Sequence, residues 1–124
     1  MEREQLENVF VTALEGGSNY WCYVSPEAVS LIRKAVSKED DRYLASSMLK
    51  AILDHDVEVP INDADAIDDV LGYMTRDNIQ HRLEKLYEDE EYRDVLSAEL
   101  EGYGDAETSD TIFQYLLFGD VIYG

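Results

Sequence analysis

Leu14-Glu15-Gly16-Gly17-Ser18-Asn19-Tyr20-Trp21-Cys22-Tyr23 ends one element, begins the next and holds the chain's only tryptophan. Upstream of it, Leu6, Val9, Phe10, Ala13 and Leu14 fall on one stripe of a 3.6-residue period, which predicts a helix over 3–15. Gly16 is expected to close that helix in the left-handed conformation, with Gly17 letting the chain reverse tightly. Period-two alternation then predicts a strand over 19–24. It would carry Tyr20 and Cys22 on one face and Trp21 and Tyr23 on the other. A tryptophan and two tyrosines supply large apolar bodies with polar tips. Gly16, Gly17, Asn19, Tyr20 and Trp21 therefore mark either a core strand with its helix stop or a platform on which a ligand or base stacks.

Working outward, Ser25-Pro26 opens a second helix, the hydroxyl as N-cap and the proline at N1, with Val29, Ile32 and Val36 inward. A polar turn over Lys38–Arg42 precedes a helix over 43–53. Residues 57–61 alternate like a half-buried strand, and because Pro60 cannot donate to a ladder, this strand is expected to be an edge or to end there. An acidic loop, 62–69, leads to a return strand over 70–74. Thr75 caps the next helix, which runs to about Tyr87, and the run Glu88-Asp89-Glu90-Glu91 breaks it from another bearing Tyr92, Val95, Leu96 and Leu100. Gly102-Tyr103-Gly104 ends that helix, Asp105 caps the last one, and Gly119 stops it. Val121-Ile122-Tyr123 is expected to close the sheet. The expected fold is a single α+β domain over 1–124: about five helices on a small antiparallel sheet of 19–24, 57–61, 70–74 and 121–123.

A chain of 124 residues with 45% hydrophobic residues can bury a core without disulfides or metal. The single cysteine, Cys22, excludes a disulfide framework within the chain and reads as a small buried hydrophobe. No long apolar run or leader pattern is present, so the expected compartment is the cytoplasm. The formal net charge is −18. It is uneven: residues 1–50 carry eight acids and six bases, residues 51–124 twenty acids and four bases. Such a field repels nucleic acid and lipid headgroups and attracts basic protein surfaces or divalent cations. Neither direct nucleic-acid binding nor membrane binding is expected.

Catalytic patterns fail one by one. His55 and His81 are the only histidines, and neither belongs to an H-E-x-x-H arrangement. A lone cysteine leaves no Cys/His zinc set. Gly16-Gly17 lacks the lysine of a phosphate loop. Asp63, Asp65, Asp68 and Asp69 suggest a divalent-ion site, and with it an outlying metal-enzyme reading. Counted from Asp63, however, a calcium loop meets Ile67 at position 5 and Asp68 at the glycine position. No cofactor, metal or catalytic residue is assigned, and an enzyme is not expected. Arg76 and Arg82 are read as screening acids one turn away on their helix.

Several stretches resemble one family. They are Ala13-Leu14-Glu15-Gly16-Gly17-Ser18-Asn19-Tyr20-Trp21, Leu71 to Ile79, Asp105-Ala106-Glu107-Thr108-Ser109-Asp110, Phe113-Gln114-Tyr115, and Phe118 to Gly124. The family consists of small acidic proteins of unassigned function encoded by bacteriophages and other mobile elements. The resemblance spans nearly the whole chain, implies a common fold and a phage setting, and raises anti-defence roles. It carries no chemistry to transfer.

Between Glu84 and Asp110 the chain has eleven acids against two bases. Acids one helical turn apart lie about 5–6 Å from each other, and a basic groove that pairs with the closely spaced phosphates of a duplex also accepts such a row. Glu84, Glu88, Asp89, Glu90, Glu91, Asp94, Glu99 and Glu101 are thus the candidate partner-binding residues. The expected partner is a basic, nucleic-acid-handling host protein such as a nuclease or other defence component. The competing expectation is a structural or assembly module whose aromatic strand and exposed apolar surface build a homodimer or a virion contact.

Overall fold

The computed structural model describes residues 1–36 and 43–124; the polar turn expected over Lys38–Arg42 lies outside them. Local signals place most helices. α1 spans Arg3–Thr12 and α2 Pro26–Val36, where Ser25 Oγ accepts from Ala28 N at 3.1 Å as an N-cap. α3 spans Leu44–His55 and α4 Arg76–Glu88, the latter capped by Thr75 Oγ1 accepting from Asn78 N at 3.1 Å. A 3-10 turn over Glu90–Tyr92 separates α4 from α5, Arg93–Leu100. α6 spans Ala106–Phe118, opened by a reciprocal Asp105–Thr108 capping box and closed by Gly119 at φ 76°. The described residues thus hold six α-helices where about five were expected.

α6 organises the packing. Ile112 to Leu117 are all buried, as expected of a helix covered on every side. It packs against α1, α4 and α5, and Phe113 meets Phe10 of α1 edge-to-face at 5.2 Å. Arg82 of α4 donates to the carbonyls of Leu116 and Leu117, the last turn of α6, where a cation is favoured by unpaired carbonyls. Its role is therefore to cap a neighbouring helix rather than to screen acids on its own. α3 joins α1 to α2 in a second layer.

Among the described residues the sheet has three antiparallel strands, in the order β1 (Cys22–Tyr23), β2 (Val59–Asp63) and β3 (Val70–Met74). β2 and β3 form the expected hairpin with its first strand shifted from 57–61 to Val59–Asp63, so that Asn62 and Asp63 of the expected acidic loop belong to it. Val59 pairs with Met74 and Ile61 with Gly72, and the pairing is irregular beyond Ile61. β3 also lies against α6. Three expectations are corrected. First, β2 is the central strand, not an edge. β1 reaches only Asn62 and Asp63, so among the described residues Pro60 has a neighbouring strand on one side only, and its missing N–H leaves no broken ladder. Second, the strand expected over 19–24 shrinks to two residues because 18–21 form a turn, with Trp21 N and Cys22 N both donating to Ser18 O at 3.1 and 2.9 Å.

Third, Val121-Ile122-Tyr123 is not a strand. Gln114, fully buried on α6, supplies the partners a neighbouring strand would have. Its Oε1 accepts from Ile122 N and Tyr123 N at 2.9 Å each, and its Nε2 donates to Tyr123 O at 3.0 Å. One side chain thus satisfies three backbone groups, and Tyr123 is left to stack on Trp21 at 5.1 Å and 6°.

Gly16 also departs from expectation. α1 does not end in a left-handed glycine; the chain widens into a π-turn over Ala13–Gly17, and Gly16 sits at φ 170°, extended backbone open to any residue. Gly17 is the position that demands glycine, since a Cβ there would lie 2.7 Å from the carbonyl oxygen of Ala106.

Candidate functional site

The acidic run folds onto the C-terminal half of α4, the 3-10 turn and α5. Glu84, Glu88, Glu90, Glu91, Asp94 and Glu101 are exposed there. The other two nominated acids work within the fold. Asp89 accepts from Glu91 N at 3.1 Å, capping the 3-10 turn, and from the Tyr115 hydroxyl at 3.2 Å. Glu99 accepts from the hydroxyls of Thr108 and Ser109 at 3.0 and 2.8 Å, tying α5 to the start of α6. Arg93 approaches Glu90 at 3.6 Å, with both side chains largely exposed, so it offsets little of the field.

Asp120, just past α6, joins this face and was not among the nominated residues. It accepts from the Tyr92 hydroxyl at 3.3 Å, and Tyr92 packs edge-to-face on Tyr115 at 5.3 Å. Both phenols are held above their ordinary range. For Tyr92 the causes are burial, then the charges of Glu91 and Asp120; for Tyr115 they are burial, then its hydrogen bond to Asp89. Acids from two distant parts of the chain therefore converge on one pair of tyrosines. No spacing rule links Asp120 to residues 88–94, because the link runs through the return of α6.

The opening motif builds something different. Asp110, on α6 and only 7% exposed, accepts four hydrogen bonds. Its Oδ1 takes Ser18 Oγ and Trp21 Nε1 at 2.8 Å each, and its Oδ2 takes the Tyr20 hydroxyl at 2.6 Å and Gln114 Nε2 at 3.1 Å. Adjacent residues Tyr20 and Trp21 reach one carboxylate because the turn at Ser18 abolishes strand alternation. Trp21 is 2% exposed and stacked under Tyr123, so its ring is core and offers no open platform. Burial, reinforced by the bond to Asp110, pushes the Tyr20 phenol up to about 12. Burial and the same carboxylate push the Cys22 thiol up to about 12, leaving it a neutral, unreactive core group. A sequence signal for Asp110 existed: it shares a stripe with Phe113, Gln114 and Leu117, and an acid on an apolar stripe is buried with partners.

Two clefts flank this network. One, of about 500 Å³, is lined by Leu14, Asn19, Cys22, Tyr23 and neighbours, with the exposed Asn19 at its rim. The other, of about 540 Å³, lies between Gly16-Gly17, the first turns of α6 and residues 121–124, with Tyr20 and Asp110 in its wall. The 62–69 loop is held by its own bonds, Asn62 Nδ2 donating to Ile67 O at 2.7 Å and Asp65 N to Asp63 Oδ1 at 2.8 Å. Among the described residues no group of three or more His, Cys, Asp or Glu side chains is arranged to hold a metal ion, and no helix is long and apolar enough to cross a membrane.

No protein-family model matches the chain, and no curated protein or solved structure is significantly similar to it.

Proposed function

We propose that this is a non-catalytic acidic binding protein of phage type, acting in the host cytoplasm, that blocks a basic nucleic-acid-handling host protein by presenting carboxylates where that protein expects phosphates. One observation carries the reading. Glu84, Glu88, Glu90, Glu91, Asp94 and Glu101 are exposed on consecutive helical elements, and Asp120 extends the field around Tyr92. Such a surface approaches a basic groove under long-range attraction that decays over about 10 Å at 0.1 M salt, so capture weakens as salt rises. The anti-defence setting rests on the family resemblance.

The test is capture from bacterial lysate at low and moderate salt, comparing the native protein with a variant in which Glu88, Glu90, Glu91 and Asp94 are reversed to lysine. Asp89 is left intact because it caps the 3-10 turn. The expected result is a basic protein retained at low salt, lost in the variant, and displaced from duplex DNA by the native chain. Full capture by the variant would reduce the acidic face to a solubility device.

A second reading has its own support. β3 is an outer strand among the described residues, its segment Val70-Leu71-Gly72-Tyr73-Met74 carries no charge, and Val70 and Tyr73 are exposed. An uncharged sheet edge is a template for pairing with a second copy. Salt-independent self-association, unaffected by the four reversals and lost on Tyr73→Lys, is the outcome that favours an assembly module.

A further inference from the structure

We infer that the cleft beside Asp110 is a binding site for a small organic cation, an alkylammonium or alkylguanidinium group. This site uses other residues than the acidic face and stands or falls separately from it. A carboxylate moved out of water is costly unless hydrogen-bonded or paired with a cation. Among the described residues Asp110 takes the first course alone: its four donors are the neutral groups of Ser18, Tyr20, Trp21 and Gln114. Those bonds stabilise the charge and hold it in place without cancelling it.

The cleft that Asp110 lines is an open groove of about 540 Å³, within the roughly 300–1,000 Å³ of small-molecule sites. None of its described lining residues is basic, and Glu107 adds a second carboxylate at the mouth. Tyr20 and Tyr123 stand in the wall, and an aromatic face adds attraction for a cation. At Gly16 a Cβ would meet nothing within 4 Å, so that side is open to an incoming group. A cation entering here meets a pre-oriented, partly desolvated negative charge, while the chain's net charge of −18 raises the local concentration of cations.

The sole tryptophan gives a direct readout, because Trp21 Nε1 donates to Asp110 at 2.8 Å. Butylguanidinium and butylammonium are titrated into the ¹⁵N-labelled full chain at 0.3 M salt, following the Trp21 indole N–H resonance. The expected result is a saturable one-to-one shift, weakened at least tenfold by Thr111→Arg, which places the chain's own guanidinium in the cleft without touching the Asp110 bonds. Asp110→Asn is expected to lose binding too, although it sets an amide against donors and destabilises the fold; Thr111→Arg keeps the test sharp. A peptide with one arginine among neutral residues that binds more tightly than butylguanidinium supports the site with a protein side chain as ligand; a peptide that binds more weakly supports it with a free cation. No shift at Trp21, or one that persists in Thr111→Arg, overturns the inference. So does a diffuse shift of surface resonances that vanishes with salt, which is counter-ion condensation.

Discussion

The contact between Gly17 and the start of α6 sets the sharpest test of the fold. In Gly17→Ala the new methyl carbon lies 2.7 Å from the Ala106 carbonyl oxygen and 3.4 Å from both the Ala106 carbonyl carbon and the Thr12 carbonyl oxygen. Carbon and oxygen settle at about 3.3–3.6 Å, so one backbone must retreat by roughly 0.6 Å. Neither retreats easily. Ala106 is the first residue of α6, pinned by the Asp105–Thr108 capping box, and Thr12 is the last of α1. Overpacking of this kind costs about 1–3 kcal/mol. Replacing glycine recovers about 0.4–1 kcal/mol from the unfolded chain, leaving a net loss of up to about 2.6 kcal/mol, centred at about 1.3 kcal/mol. For a chain of this size that lowers Tm by roughly 3–8 °C.

Gly16→Ala is the internal control. It meets open space at an extended φ of 170°, so it is expected to be neutral or to gain up to about 1 kcal/mol. Urea unfolding of both variants, with m unchanged, measures the difference. A Gly17→Ala protein as stable as the native one, or a Gly16→Ala protein that is the more damaged of the two, refutes the packing argument.

Gln114→Leu removes an acceptor for two backbone N–H groups and a donor to both Tyr123 O and Asp110, so it is expected to cost about 2–4 kcal/mol. It should also release Tyr123 from Trp21, read as loss of the near-ultraviolet circular dichroism of the tryptophan; an unchanged spectrum with an unchanged Tm contradicts the clamp. Cys22 should resist thiol reagents at pH 8 in the native protein and react at once in urea, whereas rapid native labelling would contradict its burial. Because folding raises this thiol to about 12, the fold favours its protonated form. That contribution is fully present below the unfolded pKa of about 8.5 and is lost as pH rises through the folded value. The stability of Cys22→Ala should accordingly fall less between those pH values; an identical fall would mean the thiol contributes nothing.

What the chain declares by itself is whatever closes within one turn. Ser25-Pro26, Thr75 and Asp105 cap helices because each oxygen meets an N–H three residues on, and Gly119 ends α6 because its own φ is left-handed. A hairpin of 57–61 with 70–74, observed two residues later at 59–63, and the acidic run of 84–101 are legible for the same reason: alternation and charge are local properties. Tertiary structure decided everything that depends on what arrives from elsewhere. Gly17 rather than Gly16 is indispensable only because Ala106 approaches it, and Pro60 sits in a central strand only because β1 stops short of it. Asp89 and Glu99 are held by hydroxyls from α6, and Asp120 stands beside Tyr92 only because α6 returns it there. Residues 121–123 do not form the expected strand because a hydrogen-bond acceptor need not be another backbone. Gln114 meets the same demand from a helix, and only the packed chain shows where that side chain lies.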